Sequence, residues 1–291
     1  MHRGRNDQGE PLLYVVATPI GNLQDISLRA LDVLKRVDVV AAEDTRNTSH
    51  LLKRFGIAVK LIALHEHNEK SAAAKVVALL QSDKSVAVVS DAGTPAISDP
   101  GARVVERVRQ AGFRVVPVPG ANAAVTALSA AGFESPHFLF YGFLPSKDAA
   151  RFRVLRDIKA LPYTLVFYEA PHRIIECVSG MQQALGGHRR VVIARELTKL
   201  FETIHSCTLD QAAEWLNADP NRLKGEFVLL VSGVDPVSDN ANLMDAERIL
   251  NLLLAQLPLK QAVKLTAEIS GANRKKLYAH ALQIKGAAKR V

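Results

Sequence analysis

Apolar residues along this chain come in two spacings. Short unbroken runs alternate with stretches where apolar positions recur every three or four residues, and these predict buried strands and amphipathic helices. Leu12–Ala17 reads as a first strand, stopping at Thr18-Pro19-Ile20-Gly21. A helix follows, capped by Asp25 or Ser27 and carrying Leu28, Leu31 and Leu34 on one face. Val37–Ala42 and Val86–Ser90 are the next strands, the latter running into Asp91-Ala92-Gly93-Thr94-Pro95. A further helix buries Val104, Val108 and Ala111 while Arg103, Arg107 and Arg109 face outward, and Val115–Val118 ends at the turn Pro119-Gly120. Strands and helices in alternation predict an α/β fold.

The second half has a different texture. Phe138–Phe143, Thr164–Tyr168, Val191–Arg195, Phe201–Cys207 and Phe227–Val231 read as strands with fewer helices between them. The very short connection into Lys199–Cys207 predicts antiparallel pairing with Val191–Arg195. The expected organisation is a disordered tail over 1–11, an α/β domain over 12–120, a second over 121–235, and a basic helical extension over 236–291. In the extension a polar, linker-like stretch precedes a helix with Ile249, Leu252, Leu253 and Leu257 on one face, ended by Pro258. Lys260–Glu268, Ile269-Ser270-Gly271-Ala272-Asn273 and Arg274–Gln283 then have helix–turn–helix spacing.

Composition excludes several classes. With 48% hydrophobic and 23% charged residues in 291, the chain is globular rather than disordered. Its start has no signal-peptide core and no apolar run is long enough to span a bilayer, so no membrane partner is expected. The two cysteines, Cys177 and Cys207, stand in no metal-binding frame, which fits a reduced cytoplasmic protein without structural zinc. The net charge of +8 is concentrated late in the chain, where nine basic residues face four acidic ones from Pro236 onward. Together with Arg274-Lys275-Lys276 opening the last helix, this suits a polyanion; a solvated face or a packing helix pair is the alternative.

Three loops at strand ends, Thr18–Leu23, Ser90–Gly101 and Pro117–Ala124, are rich in Gly, Pro and small polar residues. Open α/β sheets bind ligands at such ends, and small residues let a ligand approach backbone amides. No dinucleotide GxGxxG, P-loop, HExxH or GxSxG motif is present. His65-Glu66-His67 looks like a ligand pair but has no third member, so His65–Glu69 is expected to line a cleft or cap the following helix. Arg151, Arg153 and Arg156 are expected either to grip phosphates or to cover an exposed helix face.

Taken in order, Thr18-Pro19-Ile20-Gly21-Asn22-Leu23, Ala42-Glu43-Asp44-Thr45-Arg46, the run from Ser90 to Gly101, and Val118-Pro119-Gly120-Ala121-Asn122-Ala123 resemble the tetrapyrrole methylase superfamily. Within it, Phe167-Tyr168-Glu169-Ala170-Pro171-His172-Arg173, Arg195-Glu196-Leu197-Thr198-Lys199 and Gly225-Glu226-Phe227 are similar to the ribosomal RNA small subunit methyltransferase I branch. The basic tail resembles that branch's C-terminal extension. The resemblance implies two α/β domains with S-adenosyl-L-methionine in the cleft between them, acting as a homodimer. It further implies 2′-O-methylation of a decoding-centre cytidine in 16S rRNA of the small ribosomal subunit.

Carried over by position, the resemblance puts Gly93, Thr94 and Pro95 in the cofactor loop, with Ile97 and Ser98 beside it and Asn122 and Ala123 in the turn after the fifth strand. Phe167 and Tyr168 supply a wall, while Pro19, Gly21 and Asp91 complete the expected cofactor site. Asp44 is the expected base for the ribose proton, with Glu43, Glu169 and Glu196 as competitors. For each acid the alternative is an ion pair with Arg46, Arg173, Arg195 or Lys199. Arg46, Arg173, Lys199, Arg274, Lys275 and Lys276 are the expected RNA contacts. Two other functions stay open: a tetrapyrrole methyltransferase, which has no use for the basic tail, and a non-catalytic RNA- or DNA-binding protein, which would not bind the cofactor.

Overall fold

The computed structural model describes residues 10–234, 240–270 and 272–288. They fall into two compact units divided between Gly233 and Val234. Most of the tail over 1–11, residues 235–239 of the linker and the turn glycine Gly271 lie outside the described residues.

In the first unit, β1 (Leu13–Val16), β2 (Val39–Ala42), β3 (Lys60–Ala63), β4 (Val86–Val89) and β5 (Val115–Val118) form an all-parallel sheet ordered β3-β2-β4-β1-β5. Every residue of β2 and β4 is buried, as expected of central parallel strands covered on both faces. The strands are joined by α1 (Leu28–Arg36), α2 (Thr45–Arg54), α3 (Glu69–Gln81) and α4 (Ala102–Gln110). Parallel strands need such crossovers, so the loops after β1, β2, β4 and β5 gather on one edge.

Several details differ from the sequence reading. Ser27, not Asp25, caps α1: its side chain accepts a hydrogen bond from the Ala30 amide. The helix therefore buries Ala30, Val33 and Leu34, leaving Leu28 81% exposed in its first turn. Ala111 caps α4 and is exposed; Val104 and Val108 carry its packing. Strand β3 was not anticipated, because this edge strand buries Ile62 alone and shows almost no apolar pattern.

Next, α5 (Ala123–Ala131) lays Ala124, Ala127 and Ala131 against Val166, Val192 and Val228 of a second sheet. That sheet comprises β6 (Phe138–Phe143), β7 (Thr164–Glu169), β8 (Arg190–Arg195), β9 (Thr203–Thr208) and β10 (Phe227–Val231), ordered β6-β7-β10-β8-β9. Only β6 and β7 pair in parallel; β8 and β9 form the antiparallel pair that their short connection predicts. Three helices, α6 (Asp148–Asp157), α7 (Ile174–Leu185) and α8 (Leu209–Asn217), lie between the strands, more than the texture suggested. Arg151 is buried in α6 and pairs with Asp148, which removes it as a phosphate contact; Arg153 and Arg156 are exposed.

The second unit is α9 (Asn240–Leu254), α10 (Leu259–Ser270) and α11 (Arg274–Ala288), around Ala246, Leu250, Ala262, Val263, Ala272, Leu277 and Ala281. Leu250 takes the inward position, leaving Leu252 65% exposed. Pro258 does not end α9, which stops at Leu254, but starts α10: its carbonyl accepts from the Gln261 and Ala262 amides. Among the described residues no helix is long and apolar enough to cross a membrane.

Candidate active site

The loops at the first sheet's edge are laced together by short bonds. Thr18 and Gly93 exchange backbone hydrogen bonds of 2.8 and 3.1 Å, and the Thr18 hydroxyl donates to the Ser90 carbonyl. The Thr94 hydroxyl donates to the Ala121 carbonyl at 3.1 Å, joining the loops after β4 and β5. At the far end of the β4 loop, Glu69 Oε1 accepts from the Gly101 and Arg103 amides at 2.8 and 3.0 Å. The acid of the predicted His65–Glu69 segment thus caps α4, one helix beyond the expected one. Between these clamps Ala96 and Ser98 sit at φ 66° and 64°, left-handed positions that non-glycine residues seldom hold.

From the second sheet, β6 is irregular between Phe140 and Gly142. Gly142 has φ 79°, and a Cβ there would lie 2.8 Å from the Ser98 hydroxyl, so glycine is required both for its backbone and for the approach of the two loops.

A cavity of about 320 Å³ lies between the walls. Gly93, Thr94, Ile97, Ser98, Asn122 and Ala123 line it from the first sheet's loops, as expected. Phe143, Tyr168, Glu169, Leu197 and Phe227 line it from the second sheet. The Tyr168 hydroxyl accepts from the Ala124 amide at 3.2 Å, holding its ring in place. Phe167 points the other way, fully buried in the core beneath β7, because successive strand residues face opposite sides. Pro95 is buried behind the loop and is not on the wall. Pro19, Gly21 and Asp91 line an adjoining groove of about 620 Å³ together with Asn47, His50, Arg54 and Lys199. Both Asp91 oxygens serve the fold there, accepting from the Asp44 amide at 3.0 Å and from Asn47 Nδ2 at 2.9 Å.

The acids separate clearly. Asp44 caps α2, accepting from the Arg46 amide and from Arg46 Nη2, both at 2.8 Å. The Arg46 hydrogen bonds hold its carboxyl near 2, and neither Asp44 nor Glu43 lines the cavity. Glu43 Oε2 accepts from the Asp91 amide. Glu169 is buried with Oε1 3.2 Å from Arg173 Nε, and Arg173 donates to the Leu144 carbonyl, so this arginine is turned into the fold rather than offered to RNA. Lys199 Nζ lies 2.8 Å from Glu196 and 2.9 Å from Glu226, which leaves that cluster net negative. Burial works to raise the Glu196 carboxyl, but the bonds from Lys199 and from the Glu226 amide outweigh it and hold it low. Arg46, paired with Asp44 yet 86% exposed, is the one of these three cations that still faces solvent.

Asp99, absent from the expected residues, stands on the cavity wall. Burial, and after it the charge of Glu43, pushes its carboxyl up to about 6. In sequence it sits inside Ser98-Asp99-Pro100-Gly101, which reads as a turn. Phe143, Leu197 and Glu226 were also unforeseen on the wall, and each lies at or next to the end of a second-sheet strand.

The Tetrapyrrole (Corrin/Porphyrin) Methylases family profile matches residues 12–213, and the RsmI C-terminal HTH domain profile matches 240–285. Ribosomal RNA small subunit methyltransferase I of Pseudomonas aeruginosa is 51% identical over 275 residues, which cover 94% of this chain and 98% of that protein. The chain belongs to the ribosomal RNA small subunit methyltransferase I family. The family member of Escherichia coli O157:H7 is 50% identical over 281 residues, 97% of each chain. Among solved structures, uroporphyrin-III-C-methyltransferase from Thermus thermophilus superposes with a TM-score of 0.54 at 20% identity, covering 80% of this chain and 99% of that one. That likeness shows the fold. In this member of the ribosomal RNA small subunit methyltransferase I family, Glu226 and Phe227 of the wall come from the stretch between the two profile matches.

Proposed function

We propose that this family member transfers the methyl group of S-adenosyl-L-methionine to the ribose 2′-oxygen of a decoding-centre cytidine in 16S ribosomal RNA. The observation that carries the reading is identity of about half over nearly the full length of proteins named ribosomal RNA small subunit methyltransferase I. The cavity fits such a cofactor. Its loop side offers small residues and backbone amides, and Phe143, Tyr168 and Leu197 offer an apolar wall for a nucleoside. Glu169 Oε2 is buried and meets no N–H or O–H donor in the fold, so it suits an amino or hydroxyl group of a ligand.

When bound, the cofactor supplies a methyl group already activated on a positively charged sulfur. The protein must then align an acceptor oxygen and move one proton. Alignment falls to the clamped loops, where Gly93 is fixed by Thr18 and Gly101 by Glu69; positioning of this kind is worth up to roughly 7–11 kcal/mol. Phe143, Tyr168 and Leu197 exclude water from the reacting centre. The adjoining groove shares Ile20, Ala92 and Glu226 with the cavity, so a nucleotide seated among Asn47, His50 and Arg54 would have its ribose beside it. Exposed Arg274 and Lys275 on α11 suit RNA phosphates.

The test is to incubate the protein with methyl-labelled cofactor and either 16S rRNA or small ribosomal subunits, followed by mass-spectrometric nucleoside mapping. The expected product is one labelled 2′-O-methylcytidine. Label confined to a base, or transferred to uroporphyrinogen and not to RNA, refutes the reading.

A further inference from the structure

We infer that Asp99 is the carboxylate that accepts the proton of the ribose 2′-hydroxyl, an assignment that rests on the reading above. Three acids line the cavity, and two carry cations: Glu169 meets Arg173 and Glu226 meets Lys199. Asp99 meets none among the described residues. The groups that face it are Glu43 at the end of β2, Asp91 and the Ser90 hydroxyl at the end of β4, and the Tyr168 phenol from β7. Its loop is fixed at both ends by Thr18 and Glu69, and the residue before it, Ser98, is held left-handed against Gly142. An acid with acidic neighbours, on a rigid wall, is built to hold a proton rather than to pair with a cation.

Proton affinity separates it from Asp44. Asp44 titrates near 2 and Asp99 near 6, a difference of about four powers of ten in affinity for the proton. Both are ionised at neutral pH, but the more basic carboxylate is the better acceptor. The step balances. The hydroxyl proton goes to an Asp99 carboxylate oxygen while an oxygen electron pair becomes the new O–C bond. The C–S pair stays on the donor's sulfur, and the positive charge lost there matches the negative charge lost at Asp99. Water removes the proton once the product leaves.

Single-turnover methylation of 16S rRNA from pH 5 to 8.5, at saturating cofactor, tests this. The wild-type rate is expected to rise about tenfold per pH unit below roughly 6 and to level off above. Asp99→Asn should lower the plateau by about 10²–10⁴-fold and abolish that limb. Calorimetric affinity for the cofactor should stay within about threefold of wild type. Asp99→Glu, which keeps a carboxyl one methylene further out, should retain the limb at a reduced rate, and Asp44→Asn should keep the limb. A readout independent of turnover comes from melting. The raised Asp99 carboxyl is neutral at pH 5 and must ionise while half-buried at pH 8, so Asp99→Asn should gain stability relative to wild type as pH rises.

The inference is overturned if Asp99→Asn keeps its rate within a few-fold, or keeps the limb. It is equally overturned if the limb disappears in Asp44→Asn instead, or if the defect is one of cofactor affinity that saturation repairs. Wild-type protein that binds cofactor yet labels no 16S rRNA would end the broader reading together with this one, and would be seen before any variant is made.

Discussion

Gly21→Ala tests how the cavity is held in shape. Gly21 does not face the cavity and its φ is not among the left-handed ones, so neither ligand contact nor backbone freedom explains it. A Cβ at this position would stand 2.5 Å from Lys199 Cγ, 2.8 Å from Thr198 Oγ1 and 3.0 Å from the Leu197 carbonyl oxygen. Lys199 cannot easily swing clear, because its Nζ is held by Glu196 and Glu226. The Thr198 hydroxyl is engaged too, accepting from the Asn22 amide at 3.1 Å. Ordinary contact begins near 3.4 Å, so the 197–199 segment must retreat by roughly 0.4–0.9 Å. Overpacking of this size costs about 1–3 kcal/mol, which in a unit of this length lowers Tm by roughly 4–8 °C for a mid-range value. Leu197 moves with the segment, so cofactor affinity should fall about three- to tenfold. Differential scanning fluorimetry and isothermal titration calorimetry read the two effects. A variant that melts within about 1 °C of wild type and binds equally well would refute the account of Gly21 as the stop against which Leu197 is set.

Lys199→Met leaves Glu196 and Glu226 without their shared cation. Glu196 titrates below its ordinary 4.5 in the folded protein, so its stabilisation is present above that value and is lost as pH falls through the folded value; melts from pH 3 to 6 should show the variant unfolding at higher pH than wild type. Arg274→Ala with Lys275→Ala should weaken rRNA binding and flatten its dependence on salt by up to about two units of log–log slope, with cofactor affinity unchanged; an unaltered slope would remove α11 from the RNA contact. Ala96→Gly relieves a left-handed alanine and should be neutral or stabilising by up to about 1 kcal/mol, whereas an ordinary loss of about 1 kcal/mol would show that φ 66° carries no strain.

Much of the scaffold is written in the apolar spacing. Val115–Val118, Phe138–Phe143 and Phe227–Val231 form strands with the bounds their sequences suggest, and the three small-residue loops do gather at one sheet edge. What periodicity misses is orientation. Phe167 and Tyr168 are adjacent aromatic residues in one strand, and only the pleat decides that Tyr168 meets the cavity while Phe167 joins the core. Charge pairing is hidden for a similar reason. That Lys199 meets Glu226, or Glu69 the amides of Gly101 and Arg103, depends on contacts 27 or more residues apart along the chain. Asp99 was the hardest to see. Its importance comes from neighbours at the ends of three other strands, and its local sequence speaks only of a turn.

The two walls of the cavity use one device. Ile97 sits between left-handed Ala96 and Ser98, and Leu197 sits between left-handed Glu196 and Thr198. Each such position costs on the order of 1 kcal/mol, so neither triplet is held by local preference. The compensation is visible in both. Glu69 and Thr18 tie down the first loop, while Lys199 and the Glu202 carboxylate, which accepts from the Thr198 amide, tie down the second. A single apolar side chain is thereby pushed into the cavity from each sheet with its backbone unable to relax. Such a pair of fixed walls favours a reaction that needs two atoms held in line more than it favours a broad, adaptable ligand. The same rigidity explains why the acids that clamp the loops are cation-paired or amide-bound, while the one left on the wall without a cation, Asp99, remains free to exchange a proton.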